Sequence, residues 1–387
     1  FHLDRHHAPR FCAPEARPWI LGTAILVSSL GFIDGSVVSI AIPAMRETLD
    51  ASLVEAQWIS NAYLLTLSAL ILFGGAAGDR FGIARTLKAG LILFMVASVI
   101  SALAPNPETL IAARALKGIG AALMVPGSLA LIARAYPSDL RGKAIGTWAA
   151  ASAITTAIGP VLGGALLSFG SPEIWRAIFA INLPLGLLAL WILVTRVGHD
   201  PRQDNGPLDW IGAALATLSL GAAAYLLSIL GSAPSSGSAI RPALIGVACA
   251  TGIAFLVRES RATNPLMPLE LFKNRVFTSA NTLTFFLYFA LSAVLFYLPM
   301  TVISAWGVTE LTATIAFLPL SVFIGLLSRW VGSLADVHGP RPLLSIGALI
   351  VGFSFLGLGA TAELRAFWEW VIPLCTLMGF GMALVVG

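Results

Sequence analysis

Asp34 is the only one of the 19 acidic residues in this sequence that lies deep within a long apolar run. A charged side chain at the centre of a bilayer costs at least about 2.5–3.5 kcal/mol on insertion scales. Such a carboxylate must face a cavity, contact a cation or take up a proton, so the chemistry it suggests is proton exchange or the binding of a cationic solute. The alternative is a structural acid that is hydrogen-bonded to neighbouring helices.

Two cations lie in another apolar run, in the segment RALKGIGAALMVPG that begins at Arg114. Arg114 and Gly118 are four residues apart and therefore share one face of a helix. Arg114 lies about one turn inside the end of its run, so its guanidinium either approaches Asp34 and helps to release a proton or extends to the membrane interface. Lys117 adds a further cation to the same stretch.

Two charged turns with glycines recur at a fixed spacing, GAAGDRFGIAR at 75–85 and GSLADVHGPR at 332–341. Glycine permits a sharp turn or a close approach of two helices. An aspartate near the C-terminal end of a helix is disfavoured by the dipole, so it needs a partner such as a neighbouring Arg. Such a repeat predicts a chain of two related halves, although each turn taken alone can be an ordinary solvated connection. Three residues recur 257 positions later, namely Gly75, Asp79 and Gly82 as Gly332, Asp336 and Gly339.

The elements that position these residues are predicted to be membrane-spanning helices. The chain is 57% hydrophobic and 11% charged, with a mean hydropathy of +0.88, whereas soluble domains carry about 25% charged residues. Apolar runs of about 20 residues are long enough to span a bilayer as helices, and they lack the alternation of barrel strands. The prediction is an all-α polytopic membrane protein with twelve such runs: 19–42, 56–76, 86–104, 109–133, 143–168, 175–195, 208–230, 240–257, 276–303, 311–332, 343–360 and 366–387.

The basic residues predict the orientation of the chain. If the N-terminus is cytoplasmic, 17 of the 23 Lys and Arg fall in cytoplasmic segments and 4 in external ones. This asymmetry obeys the positive-inside rule and places both glycine turns in the cytoplasm. The basic balance follows from these loops and does not indicate binding to nucleic acid.

The repeat spacing predicts how the spans are grouped. Adding 257 to position 19, where the first run starts, gives 276, the start of the ninth run. We therefore expect two six-helix halves with two inserted helices between them. Six, two and six would make fourteen spans, so we also expect the C-terminal half to be truncated here and the coding sequence to continue through at least two more apolar segments. The predicted units are a cytoplasmic tail at 1–18, an N-terminal half at 19–195, a linker with two extra helices at 196–275 and an incomplete C-terminal half at 276–387.

These patterns resemble the motifs of the major facilitator superfamily, in particular the drug:proton antiporters with fourteen spanning helices, the EmrB/QacA type. The fourth-helix motif R-x-x-Q-G-x-G is present with Lys117 where Gln is expected, and W-R-x-x-F-x-x-N-x-P lies at 175–184. The signature loop G-x-L-a-D-r-x-G-r is matched by Gly75, Asp79, Arg80 and Gly82, with Arg85 nearby, and again by Leu334, Ala335, Asp336, Gly339 and Arg341. The antiporter motif G-P-x-x-G-G is matched by Gly159, Pro160, Gly163 and Gly164.

The resemblance implies a major facilitator fold and proton-coupled efflux of hydrophobic or cationic drugs, hence antibiotic resistance, at the bacterial plasma (inner) membrane. It implies that Asp34 is the proton-linked acid, that Arg114 modulates it, and that the two glycine turns control the switch between inward- and outward-facing states. The cargo would bind near the midplane between the halves. Protons and the lipid bilayer are then partners, and a periplasmic adaptor is a further partner that such a pump can use.

Other functions remain open from the sequence alone, namely export of one specific metabolite or siderophore, or a membrane receptor or scaffold on the same fold. An enzyme is not expected, because the chain shows no cluster of nucleophile, base and metal ligands. No cofactor or metal is expected either: Cys12, Cys249 and Cys375 lack metal-binding spacing. The absence of a nucleotide-binding loop argues against ATP as the energy source.

Overall fold

The structure, a computed structural model, describes residues 14–197, 209–230, 240–262 and 265–386. This part of the chain is almost entirely helical. Its α-helices are α1 Arg17–Leu49, α2 Leu53–Phe81, α3 Ile83–Ala102, α4 Pro107–Ala135, α5 Ser138–Leu167, α6 Trp175–Ala180, α7 Asn182–Thr195, α8 Trp210–Leu230, α9 Ile240–Arg261, α10 Arg275–Ser304, α11 Glu310–Thr314, α12 Leu318–His338, α13 Pro340–Thr361 and α14 Ile372–Val386.

The predicted spans correspond to these helices. Among the described residues, eleven helical segments are long and apolar enough to cross a membrane. The fifth predicted run lies in α5, whose apolar part Ile158–Leu167 is shorter than that criterion. The sixth run is divided into α6 and α7, with Ile181 between them. The prediction of an all-helical polytopic membrane protein is confirmed.

Short connections make successive spans cross in opposite directions. We call the end of the bundle where α1 begins and α2 ends the proximal side, and the end where α1 finishes and α2 begins the distal side. At the distal side, Ser52 and Glu55 form a reciprocal cap on α2: Ser52 Oγ accepts from the Glu55 amide at 3.2 Å, and Glu55 Oε2 accepts from the Ser52 amide at 2.7 Å. α4 also starts there, capped by Asn106, whose Oδ1 accepts from the Thr109 amide at 2.9 Å.

Glycine contacts set the spacing of the helices that carry the candidate site. A Cβ at Gly90 in α3 would lie 2.8 Å from the Gly120 carbonyl oxygen in α4, and a Cβ at Gly120 would lie 2.8 Å from the Gly90 carbonyl oxygen. In the second half, Gly347 in α13 and Gly381 in α14 meet in the same way, at 2.7 and 2.9 Å. Small residues allow backbones to approach closely in membrane bundles. The two halves therefore use the same type of glycine contact between corresponding helices.

A second pair of contacts fixes the register of this repeat. Gly118 in α4 packs against the backbone of Tyr63 in α2, and Gly379 in α14 packs against the backbone of Leu320 in α12 at 2.8 Å. Tyr63 and Leu320 are 257 positions apart, whereas Gly118 and Gly379 are 261 apart. The repeat is therefore shifted by four residues between α13 and α14, which the constant offset predicted from the glycine turns did not anticipate.

The inserted helices lie against the N-terminal half. The Trp210 ring of α8 lies 4.4 Å from the Phe73 ring of α2, and Tyr225 lies 5.8 Å from Trp58 near the other end of α2. α9 packs on α8, where Ser219 Oγ donates to the Ala248 carbonyl at 2.9 Å. The contacts follow α8 along the length of α2.

Candidate functional site

Asp34 lies roughly halfway along α1 and is completely buried. Its two carboxylate oxygens form ion pairs with Arg114 Nη1 and Lys117 Nζ of α4. Asn182 of α7 donates from Nδ2 to Asp34 Oδ1 at 3.3 Å. We call these four residues the Asp34 cluster. The cluster joins three helices of the N-terminal half. It lies near the boundary of two apolar clusters: α1 contributes residues up to Leu30 to one of them and residues from Ile33 onward to the other.

Arg114 is held away from the membrane interface. Its side chain is 1% exposed, and its Nε donates to the Ile59 carbonyl of α2 at 2.9 Å. The guanidinium also lies over the Tyr63 ring, 4.5 Å from the ring centroid, an arrangement that attracts a cation to the ring face. The interpretation that Arg114 extends to the interface is wrong, and the alternative, an approach to Asp34, is what the structure contains.

Lys117 is as buried as Asp34 and is enclosed by aromatic rings. Its Nζ lies 4.7 Å from the centroid of the Phe94 ring of α3 and 4.7 Å from that of Phe179 in α6. The sequence analysis noted Lys117 as a further cation and as a departure from a family motif, but it did not place Lys117 in a site. It also did not place Phe179 or Asn182, although they belong to a recognised motif and their spacing of three residues puts them on one helix side.

The charges of the Asp34 cluster do not balance. One carboxylate faces two cations, Arg114 and Lys117, so the three ionised side chains carry a net charge of +1 out of contact with solvent. Asp34 therefore contacts cations, which is one of the three surroundings expected for a carboxylate within an apolar run. Removal of charges from water is costly unless pairing is good, and a buried site with titratable groups of both signs can gain or lose a proton as its surroundings change. Within the described residues, Asn182 Oδ1 has no hydrogen-bond partner.

The second half has an apolar cluster at the corresponding position. Asp34 corresponds to Leu291, 257 positions later. After the four-residue shift the offset is 261, so Arg114 corresponds to Cys375 and Lys117 corresponds to Met378. All three counterparts are buried in a single hydrophobic cluster between α10, α12 and α14. The same helix packing thus occurs in this chain with charges in one half and with apolar side chains in the other.

The first glycine turn lies at the proximal end of α2, away from Asp34. Asp79 pairs with Arg134 at the end of α4, with 3.3 Å between Oδ1 and Nη2, so the partner expected for this acid is a neighbouring arginine. Gly82 follows α2 with φ of +96°, a backbone conformation that side chains with a Cβ rarely adopt. Arg85 is exposed, and Arg80 lies over the Phe81 ring at 5.7 Å. A Cβ at Gly75 would make only an ordinary contact, 3.8 Å from Pro126 of α4.

The second turn repeats the backbone feature of the first. Gly339 follows α12 with φ of +77°, and Arg341 is exposed at the start of α13. The surroundings of Gly332 and of the Asp336 side chain lie outside the described part of the structure. Both turns therefore place a positive-φ glycine between two long helices.

The antiporter-motif residues bring α5 against both halves. A Cβ at Gly159 would lie 3.2 Å from the Ile33 carbonyl oxygen of α1, and one at Gly163 would lie 2.7 Å from Val37 of the same helix. Gly164 faces the second half, where a Cβ would lie 3.0 Å from the Glu310 carbonyl oxygen of α11. Pro160 lies buried within α5 among them.

The contact of α5 with α11 is one of several contacts between the two halves at the distal side. Gln57 at the start of α2 donates from Nε2 to Tyr297 Oη near the end of α10 at 2.6 Å. Phe296 of α10 packs against the apolar cluster that contains Trp175. These contacts join the two halves at the distal side.

The residues that the structure describes contain no group of three or more His, Cys, Asp or Glu side chains placed to hold a metal ion. The free cysteines among them, Cys249 and Cys375, lie in different helices, the first exposed and the second buried.

Comparisons with known proteins agree with this architecture. The family model described as Major Facilitator Superfamily matches residues 24–387. The chain is 36% identical over 310 residues to a methylenomycin A resistance protein of Bacillus subtilis, with 78% of this chain and 65% of the relative covered. It is 31% identical over 376 residues to a tetracenomycin C resistance and export protein of Streptomyces glaucescens, with 96% and 69% covered. The chain thus spans about two thirds of the length of these relatives.

A similar fold is found in a solved structure of the xylose transporter XylE from E. coli in a partially occluded inward open conformation. The TM-score is 0.62 at 19% identity, with 95% of this chain and 84% of that chain covered.

Proposed function

Because this chain belongs to the Major Facilitator Superfamily, we propose that it is a proton-coupled efflux antiporter that exports hydrophobic or cationic drugs. Relatives named for antibiotic resistance and export support efflux as the direction of transport. We assign the chain to the type with fourteen spanning helices, since α8 and α9 follow the first six spans and lie outside the repeat. The membrane is a bacterial plasma membrane, and the positive-inside rule makes the proximal side cytoplasmic.

The observation that carries the proposal is the ion-paired cluster of Asp34, Arg114 and Lys117. Buried charges contribute little net stability, because desolvation offsets much of their attraction. The apolar cluster around Leu291 means that the same packing does not require charge. We therefore attribute the charges to transport: Asp34 belongs to the proton-exchanging site, and Arg114 modulates it.

Competition between proton and cargo links their movements. If each binds better when the other is absent, the free energy of one gradient drives the other. The distal contacts around Gly164 support a state in which the two halves meet at the external side, and the cargo binds near the midplane between the halves. The two glycine turns, with Asp79 paired to Arg134, act in the switch to the opposite state.

The test is transport by the chain reconstituted in liposomes, with ethidium as a lipophilic cationic probe and a pH indicator to follow protons. Wild type should move ethidium and protons in opposite directions. Asp34→Asn should abolish probe-driven proton release, because it removes the negative charge of the cluster while nearly keeping the side-chain size.

A matched control is Asp209→Asn. Asp209 is also a buried acid, with Oδ1 paired to Arg258 Nε at 2.6 Å, but it lies at the start of the inserted helices. This variant should keep coupled transport. If Asp34→Asn releases protons with an unchanged pH dependence, Asp34 is a structural acid and the coupling lies elsewhere.

A further inference from the structure

Lys117 is the buried titratable group that the scheme above leaves without a role. The other members of the Asp34 cluster and the rings around it come from six helices: Asp34 of α1, Tyr63 of α2, Phe94 of α3, Arg114 of α4, Phe179 of α6 and Asn182 of α7. Of these, Asp34 and Arg114 are charged, and Tyr63, Phe94, Phe179 and Asn182 are neutral. The Tyr63 hydroxyl donates to the Gly31 carbonyl at 3.2 Å.

Charge counting separates the two ways in which the cluster can exchange a proton. If Asp34 takes up a proton, the cations Arg114 and Lys117 remain buried side by side, and no negative charge is left to pair with them. If Lys117 loses a proton, the net charge falls from +1 to zero, and the Asp34–Arg114 pair remains intact. Arg114 cannot take part, because a guanidinium is not deprotonated in proteins. The second route leaves no unpaired buried charge and is therefore the favourable one.

We infer that Lys117 carries the exchanged proton and that Asp34 acts as its fixed counter-ion. This inference deepens the proposed antiport and rests on it. In the exchange, an N–H bond of the ammonium breaks, the electron pair stays on nitrogen, and the proton passes to water. The neutral amine remains buried between the Phe94 and Phe179 rings. These rings attract the ammonium, so they oppose the loss of the proton, whereas removal of the excess buried charge favours it.

The burial of Lys117 couples this exchange to the change of state. Its side chain has no solvent exposure in this structure, so water reaches Nζ only when α4 moves relative to α1 or α6. The cluster repels a cationic cargo when its net charge is +1 and accepts the cargo more readily when its net charge is zero. This difference produces the competition between proton and cargo that antiport requires.

The first experiment compares Lys117→Arg with wild type in the ethidium-driven proton release described above. Arginine keeps the positive charge beside Asp34 but has no proton to release. Proton release should be lost in Lys117→Arg and also in Lys117→Gln, which removes the titrating group. The control is Lys143→Arg, an exposed position on α5, which should behave as wild type.

A second measurement does not depend on the folding of a Lys117 variant. The chain has four lysines, Lys88, Lys117, Lys143 and Lys273. With the other three replaced by Arg and lysine labelled with 13C and 15N, a single side-chain NMR signal reports Lys117. The signal should change from ammonium to amine over the pH range in which wild type releases protons on adding ethidium.

The outcomes separate this inference from the antiport itself. If wild type moves ethidium without proton release, the antiport is wrong and Lys117 has no coupling role. If wild type releases protons and Lys117→Arg releases them equally, with the Lys117 signal remaining that of an ammonium, the antiport stands and Asp34 is the carrier. Loss of release in Lys117→Arg together with a titrating signal supports Lys117.

Discussion

Replacing all three charged side chains of the Asp34 cluster should leave the protein about as stable as wild type while abolishing proton coupling. The variant is Asp34→Leu, Arg114→Met and Lys117→Met, which keeps the approximate volume at each buried position. Leu291 and its neighbours already form an apolar version of this packing in the second half. The charges are therefore expected to be dispensable for folding as a set, but not one at a time.

The magnitudes follow from the number of unpaired charges. Asp34→Leu alone leaves two buried cations without an acid, and removal of one member of a buried ion pair costs about 3–5 kcal/mol. Replacement of a whole buried cluster by apolar residues is neutral or stabilising by about 1–4 kcal/mol. The lost hydrogen bond from Arg114 to the Ile59 carbonyl offsets this by about 0.5–1.5 kcal/mol. With the triple variant taken as equal in stability to wild type, it differs from Asp34→Leu by about 3–5 kcal/mol. This is roughly a 100- to 4,000-fold difference in the equilibrium constant of unfolding.

The assay is unfolding in mixed detergent micelles of increasing SDS content, followed by circular dichroism, alongside transport of ethidium in liposomes. The triple variant should unfold near the wild-type midpoint, and Asp34→Leu at a clearly lower SDS content. If the triple variant is as unstable as Asp34→Leu, the charges hold the N-terminal half together, and the argument from the apolar counterpart fails.

Asp79→Asn should impair transport without measurable loss of stability, because the Asp79 carboxylate is 57% exposed and exposed ion pairs contribute about 0–1 kcal/mol. The control Glu173→Gln, in an ion pair of similar exposure at the distal side, should leave transport normal. Equal effects of the two variants on transport would contradict a switch role for Asp79. Gly82→Ala should cost about 1–3 kcal/mol in unfolding free energy, since a Cβ is strained at φ of +96°; an unchanged unfolding midpoint would contradict this. Gly164→Val should hold the distal ends of α5 and α11 apart and increase labelling, by impermeant thiol reagents, of cysteines introduced at these ends. Gly146→Val on the same helix, where a Cβ meets nothing within 4 Å, should not.

The sequence predicted the spanning helices and singled out Asp34, in both cases because the hydrocarbon core of a bilayer contains no water. Apolar length alone identifies a spanning helix, since lipid leaves few alternatives for the backbone. A lone acid within such a run stands out for the same reason. Neither signal depends on how helices rotate against one another, so both could be read without a structure.

The partners of Asp34 could not be predicted in the same way. Contacts of Asp34 with Lys117 depend on the rotation of α4, which is set by the close approach of Gly118 and Gly120 to neighbouring backbones. The spacing of Phe179 and Asn182 indicates a shared helix side but not which helix it faces. The four-residue shift of the repeat before α14 is also invisible from the glycine turns, because they lie before it in the chain.

The position of α8 and α9 has an evolutionary consequence. α8 covers α2 through apolar and aromatic contacts, such as Trp210 on Phe73, and lipid tails are as apolar as these side chains. The surface of α2 would therefore be compatible with bare bilayer in an ancestor without the inserted pair. A helical hairpin can be acquired or discarded at this site without redesign of the helices that surround Asp34, so chains of different span number can share one transport core.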